Sequence, residues 1–356
     1  MESNTKSKKI KLYNTLNKEE AKKILIQENV SRLTLSFYKY FLIQDAKSFR
    51  DKMYLNMVEL KVLGRIYVSK EGINAQLSIP ESNFERFKEY IYSIESLNNI
   101  ILNTAIIHDN MSYLTLKIKV RNKIVADGIQ DDFFDFNNRG KYVSPEEFNI
   151  MSEQENTYVV DMRNHYEYEI GHFKNAIEIA SDTFRQQLND VLDVMKEKKD
   201  SNIIMYCTGG IRCEKASAWL LYNGFKKVYH LEGGIINYTN QVRKKNLENK
   251  FLGKNFVFDN RLSEKIDENI ISHCHQCGEL CDSHFNCLNS GCHMLFIQCD
   301  NCKSRYNNCC SSECMNIIAL PEEEQKKLRK GLSKGQNIFN KSKQLIDLKK
   351  ISKEIK

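Results

Sequence analysis

Long hydrophobic runs are missing from this sequence, and that absence removes a whole class of functions. No apolar stretch approaches the ~20 residues that span a bilayer, so no membrane-embedded helix is expected. The stretch from Met1 to Lys11 is polar and lysine-rich without an apolar core, unlike a secretory signal. A cytoplasmic protein with no membrane partner is the expectation. Proline is scarce, with three in 356 residues of a chain rich in Lys, Asn and Ile, a composition that biased codon usage alone can produce. A large excess of one charge is also lacking: the net charge is +7, and residues 321–356 hold eleven Lys and Arg against five Asp and Glu. Such a balance is compatible with a nucleic-acid partner without demonstrating one. A dinucleotide-binding glycine fingerprint, a flavin signature and a two-His-one-carboxylate iron site are all lacking.

Cysteine, by contrast, is abundant, with twelve. Without a secretory signal these read as reduced thiols, metal ligands or a catalytic thiol rather than disulfides. Cys207 and Cys213 flank one short loop, and the other ten crowd between Cys274 and Cys314.

The length suits two or three domains. Apolar patterning predicts a helix over 18–28, a strand over 36–42, a helix over 45–63, and two strands within 64–79 turning at Lys70-Glu71-Gly72. A helix over 84–94 and strands over 100–107 and 111–120 follow. The order β-α-β-β-α-β is that of a ferredoxin-like α+β domain, here over 1–135, with an extra strand. Residues 130–142 read as a linker. Ser144-Pro145-Glu146-Glu147 has the features of a helix start. Strands at 158–161, 202–206 and 227–231 then alternate with a helix at 214–223, which predicts a parallel-sheet α/β domain over 144–246. Ligands of such sheets bind beyond the carboxyl ends of the strands, where Cys207 falls. Residues 247–320 form a Cys-rich module too poor in aliphatic side chains for a large core, and 321–356 read as a basic helical tail.

The segment Cys207-Thr208-Gly209-Gly210-Ile211-Arg212 combines a strand end, two glycines, an arginine and a helix start. The glycines let the backbone curl so that N–H groups point inward as an anion-binding nest. The helix adds its positive end, and Arg212 adds a charge. Together they favour thiolate, the nucleophilic form. Cys213 reads as an inert small residue or a resolving thiol, with the inert reading preferred.

These residues carry a resemblance. Asp161-Met-Arg163, Glu167, Gly171-His172, Ala176 and Leu231-Glu232-Gly233-Gly234 are similar to the signatures of rhodanese domains. Cys207 to Arg212 is C-x4-R, the sulfurtransferase-like spacing; related phosphatases use a loop one residue longer, which disfavours that role. Beyond this domain, Lys70-Glu-Gly-Ile-Asn-Ala75, Ile124-Val-Ala-Asp-Gly128, Phe256-Val-Phe-Asp-Asn-Arg261 and Cys274-His-Gln-Cys-Gly278 resemble blocks of the rhodanese-domain tRNA uridine(34) hydroxylases. Asp127 departs from the aliphatic residue expected there. The resemblance implies oxygen-dependent formation of 5-hydroxyuridine at the wobble position, with tRNA as partner, molecular oxygen as co-substrate and Cys207 as essential thiol. It leaves open whether Cys207 passes through a persulfide. A sulfurtransferase acting as a sulfur relay is the alternative, and a non-catalytic RNA-binding protein with a rhodanese fold is a third reading. Arg65, Tyr67, Lys70, Lys117, Lys119 and Arg121 are candidate RNA contacts.

In the Cys-rich module, Cys274-x2-Cys277 and Cys299-x2-Cys302 form two knuckles suited to a structural zinc. A second site drawing on Cys281, His284, Cys287, Cys292, Cys309, Cys310 or Cys314 is left open.

Overall fold

The computed structural model describes residues 11–129, 135–331 and 338, so part of the expected linker and most of the basic tail lie outside the described residues. Contacts divide the chain into two units between Ala126 and Asp127.

In the first unit, α1 (Lys18–Glu28) opens on a capping box in which Asn17 and Glu20 satisfy each other's backbone N–H groups. β1 (Arg32–Tyr40), α2 (Ala46–Glu59), β2 (Leu63–Ser69), β3 (Gly72–Pro80), α3 (Phe84–Ser93), β4 (Asn103–Thr104) and β5 (Leu116–Val120) follow. The sheet order is β4-β1-β3-β2-β5. Its first four strands have the ferredoxin-like arrangement, and β5 extends the β2 edge in parallel. The strands expected over 100–107 and 111–120 are shorter than the patterning suggested. A turn around Asp109, whose carboxylate accepts from Met111 N–H and whose carbonyl accepts from Ser112 N–H, occupies the intervening chain. Alternate residues of the strands, among them Phe37, Ile66, Val68, Ala75 and Leu77, pack with Met53 and Met57 of α2 and Phe87 and Ile91 of α3.

The second unit begins with β6 (Lys141–Val143), α4 (Pro145–Met151), β7 (Thr157–Asp161), α5 (His165–Tyr168), β8 (Gly171–Phe173) and β9 (Ile177–Glu178). It continues through α6 (Phe184–Val194), β10 (Asn202–Tyr206), α7 (Ile211–Tyr222), β11 (Lys227–Leu231) and α8 (Gly234–Lys245). Five strands form a parallel sheet in the order β6-β11-β10-β7-β9. β6 begins in the stretch read as linker: a three-residue edge strand is too short to show a period. α7 starts three residues earlier than the pattern over 214–223 suggested, which places Arg212 and Cys213 on its first turn. Phe148, Phe173, Ile204, Tyr206, Leu231, Ile235, Tyr238 and Phe251 fill one core.

The Cys-rich region adds β12 (Phe251–Phe256), β13 (Ser263–Lys265), β14 (His284–Asn286), β15 (Leu295–Ile297), α9 (Asp300–Arg305), α10 (Ser312–Ala319) and α11 (Glu322–Arg329). β12 pairs antiparallel with β8, which ties this region to the parallel-sheet region. Its small cores are built largely from sulfur: Cys274, Cys281, Cys299 and Cys302 in one, Cys287, Cys309, Cys310 and Cys314 in another. α11 has no buried residue. Among the described residues no helix is long and apolar enough to cross a membrane.

Candidate active site at Cys207

β10 stops at Tyr206, and Cys207 sits at the carboxyl end of the central strand of the parallel sheet, fully buried. The chain curls through Thr208 and Gly209 to Gly210, which caps α7 with a φ of 98°. The Gly210 N–H donates to the Cys207 sulfur at 3.1 Å, and the Arg212 N–H also donates to it. Gly234 holds the loop from the other side. Its φ is +65°, and a Cβ there would stand 2.4 Å from the Cys207 carbonyl oxygen. Ile235 N–H and Ile236 N–H donate to the Cys207 and Thr208 carbonyls at 3.0 and 3.2 Å. The double glycine after β11 thus serves the close approach of α8 to this loop.

Burial pushes the Cys207 thiol up, but a hydrogen bond from Cys213, the Arg212 charge and the two N–H donors bring it down to about 6. Burial and the adjoining Cys207 sulfur hold the Cys213 thiol well above its ordinary value. Cys213 thus lies against the Cys207 sulfur and donates a hydrogen bond to it, a contact that neither the inert nor the resolving reading of the sequence includes.

Arg212 brings its charge to the sulfur, while its side-chain hydrogen bonds go elsewhere. Its two terminal nitrogens lie 2.7 and 2.8 Å from the carboxylate oxygens of Glu167, which also accept from the Thr208 hydroxyl at 3.2 Å. Burial would raise Glu167; Arg212, and Arg163 behind it, hold it below the usual carboxylate range. Beneath the loop, Asp161 takes Arg163 Nη2 at 2.6 Å and the Tyr206 hydroxyl at 2.5 Å, all three fully buried. The Asp-x-Arg signature is therefore a buried ion pair that fixes the strand ends. Glu169, just past α5, accepts from His275 Nε2 at 2.8 Å, while His275 Nδ1 accepts from Ile297 N–H. α5 thus joins the Cys-rich region to the loop, with Glu167 facing one way and Glu169 the other. Glu167 belongs to the rhodanese-like signature, whereas the Glu169–His275 contact has no sequence signal of its own.

Arg65 and Tyr67 on β2 stand opposite Lys117 and Lys119 on β5. The Arg121 guanidinium lies 5.6 Å from the Tyr67 ring centre. Five of the candidate RNA contacts thus share one region of the first unit's sheet, and Lys70 sits at the exposed β2–β3 turn.

Cys274, Cys277, Cys299 and Cys302 are brought together, their sulfurs all within 4.8 Å of one another. The Cys299 N–H donates to the Cys274 sulfur at 3.4 Å. Of the sulfurs left open, Cys287, Cys292, Cys310 and Cys314 form a second group with the same limit, while Cys281, Cys309 and His284 belong to neither. Each group can hold a metal ion.

Three family models match the chain: the UPF0176 acylphosphatase like domain over 32–124, the rhodanese-like domain over 144–241 and the rhodanase C-terminal domain over 252–315. Proteins of Pectobacterium carotovorum subsp. carotovorum, Pectobacterium atrosepticum and Yersinia pestis are each 52% identical to it over 336 residues, covering 94% of this chain and 95% of theirs. All three bear the name tRNA uridine(34) hydroxylase.

Proposed function

This chain belongs to the tRNA uridine(34) hydroxylase family, and we propose that Cys207 is the residue through which it works. The enzyme hydroxylates uridine 34 of tRNA to 5-hydroxyuridine in an oxygen-dependent reaction. The observation that carries Cys207 is its setting: a buried sulfur at the carboxyl end of the central strand, accepting the Gly210 N–H at 3.1 Å beside Arg212, which favours the thiolate. In this reading Thr208, Gly209, Gly210, Ile211 and Arg212 shape its loop and favour negative charge there. Uridine 34 leaves its stack to reach the sulfur. The thiolate adds to C6 of the uracil, C5 becomes enolate-like, and C5 takes one atom of molecular oxygen. Elimination of the sulfur then restores the ring.

The electron count supports a role for the neighbouring thiol. One oxygen atom enters the base, and the other needs two electrons and two protons to become water. Cys213 takes the outer oxygen of the C5 hydroperoxide as a sulfenic acid, Cys207 once eliminated from C6 displaces that oxygen as water to form a disulfide, and a cellular thiol reduces the disulfide. The tRNA is met on the basic and aromatic residues of the first unit's sheet, in the cytoplasm where tRNA resides. The domain plan follows, with 1–135 for RNA, 144–246 for chemistry and 247–320 for support. Four thiolates at Cys274, Cys277, Cys299 and Cys302 suit a structural zinc, which would hold together a module with little aliphatic core.

The test replaces Cys207 with Ala in the cell and measures tRNA nucleosides by mass spectrometry. Loss of 5-hydroxyuridine is expected. Loss of a thiolated base instead would establish the sulfur-relay reading, and no change would remove catalysis from Cys207. With 18O2, the added oxygen is expected to be heavy; an atom from water would overturn the scheme.

A further inference from the structure

We infer that the Cys-rich module holds a second zinc, bound by Cys287, Cys292, Cys310 and Cys314, in a cross-braced arrangement with the first site. The inference rests on the zinc reading of the first group for its frame, but on separate sulfurs for its substance.

Chain order is the first observation. The ligand pairs run 274/277, 287/292, 299/302, 310/314. The first and third pairs make one group, and the second and fourth make the other. Each pair is local, and each group closes a stretch of chain that contains one pair of the other group. Such interleaving locks a short chain into one topology, because neither group can form without fixing part of the other.

The distances are the second. With zinc–sulfur bonds of about 2.3 Å, a regular tetrahedron sets its sulfurs about 3.8 Å apart. Cys292 and Cys310 sulfurs are 3.7 Å apart, and Cys310 and Cys314 sulfurs are 3.8 Å apart. In the first group the Cys277 and Cys299 sulfurs are 3.6 Å apart. A disulfide would need about 2.05 Å, and none of the twelve cysteines is in one. The 4.8 Å limit across each group leaves room for a single ion, too little for a cluster of several irons.

The surroundings are the third. Backbone and amide N–H groups point at sulfur in the second group as in the first: Cys310 N–H to Cys287 at 3.5 Å, and the Asn289 amide to Cys314 at 3.3 Å. Such donors stabilise thiolates and orient metal ligands. A buried amide pair couples the groups. The Gln276 side chain, between Cys274 and Cys277, donates to the Cys309 and Cys310 carbonyls at 3.1 and 3.0 Å. Gln298, next to Cys299, donates to Gln276 at 2.8 Å and to the Cys309 carbonyl at 3.2 Å. Adjacent Cys309 has no place in either group, so of two neighbouring cysteines only Cys310 is a ligand.

The full-length protein, purified without added metal, is analysed by elemental mass spectrometry. Two zinc ions per chain are expected, falling to about one or fewer in Cys314→Ser and unchanged in Cys309→Ser. Because Cys314→Ser can fail to fold, the wild type is also stripped and titrated with Co2+. The tetrathiolate absorbance is expected to rise to two equivalents, with eight thiols becoming protected from alkylation. One zinc, lost in Cys277→Ser but kept in Cys314→Ser, overturns this inference and leaves the first site standing. No zinc removes both sites. Two zinc ions that survive Cys292→Ser and Cys314→Ser place the second ion elsewhere, and bound iron overturns the metal.

Discussion

Arg212 lays both terminal nitrogens on the Glu167 carboxylate, at 2.7 and 2.8 Å, and both side chains are nearly or fully buried. The pair holds the first turn of α7 against α5 and so sets where the Arg212 charge stands relative to the Cys207 sulfur. Removing one partner leaves the other charge buried and unpaired, which costs ~3–5 kcal/mol. Glu167→Gln is therefore expected to lower the urea midpoint sharply. Arg212→Lys keeps the charge but loses the two-pronged geometry; it should be milder in stability and still lower turnover by roughly tenfold, or ~1.4 kcal/mol. A Glu167→Gln protein with the wild-type midpoint would sink this account.

The pH dependence follows from the same loop. The Cys207 thiol is lowered from an ordinary 9.0 to about 6, so the thiolate is present above that point and is lost as pH falls through it. Alkylation of Cys207 by iodoacetamide, followed on its own peptide by mass spectrometry, should rise with a midpoint near pH 6. Stability shares the sign: a lowered thiol adds stability that is complete above the unfolded value and disappears as pH falls through the folded one. The difference in stability between wild type and Cys207→Ala should thus shift in favour of wild type between pH 6 and 9. A midpoint near 9 would show that the loop does not favour the thiolate.

Cys213 can be asked two questions with two variants. Its S–H donates to Cys207, so Cys213→Ala removes a donor and should raise the Cys207 midpoint. Cys213→Ser restores a donor but cannot form a disulfide. The expected outcome is a midpoint near wild type in the serine variant, with multiple-turnover formation of 5-hydroxyuridine still lost. Full turnover in Cys213→Ser would assign the electrons to another source and leave Cys213 as a hydrogen-bond donor alone.

The parts of this site that could be read from sequence are those whose signal is local. A strand end, two glycines and an arginine lie within a few residues, and the alternation Leu116, Ile118 in the first unit marks a half-buried strand. Cys274-x2-Cys277 and Cys299-x2-Cys302 repeat one spacing and so declare themselves a set. What stayed hidden depends on contacts across the chain. Glu167 stands within the rhodanese-like signature, but it is 45 residues from Arg212, and nothing local names Arg212 as its partner or turns Glu169 the other way, to His275. The second sulfur group uses two unlike spacings, and Cys309 beside Cys310 gives no local reason to prefer either. Cys213 is left between an inert residue and a resolving thiol, because its contact with the Cys207 sulfur spans six residues and no local spacing announces it.

Gly234 offers the sharpest test of the idea that α8 shapes the loop. Its positive φ alone makes an alanine costly, by about 1–2 kcal/mol, and a Cβ would also stand 2.4 Å from the Cys207 carbonyl and 2.7 Å from that of Thr208. Backbone cannot yield as a flexible side chain can, so the loop must move and carry the sulfur away from its N–H donors. Gly224 separates the two effects. Its φ is +86°, yet a Cβ there would meet only the Lys199 ammonium, at 3.8 Å. Gly224→Ala should therefore lose the strain energy alone and keep both the Cys207 midpoint near pH 6 and the yield of 5-hydroxyuridine. Gly234→Ala should lose more stability, raise the midpoint and abolish most product. Equal behaviour of the two variants in urea unfolding and in the pH profile would mean that the close approach of α8 does not set the geometry of Cys207.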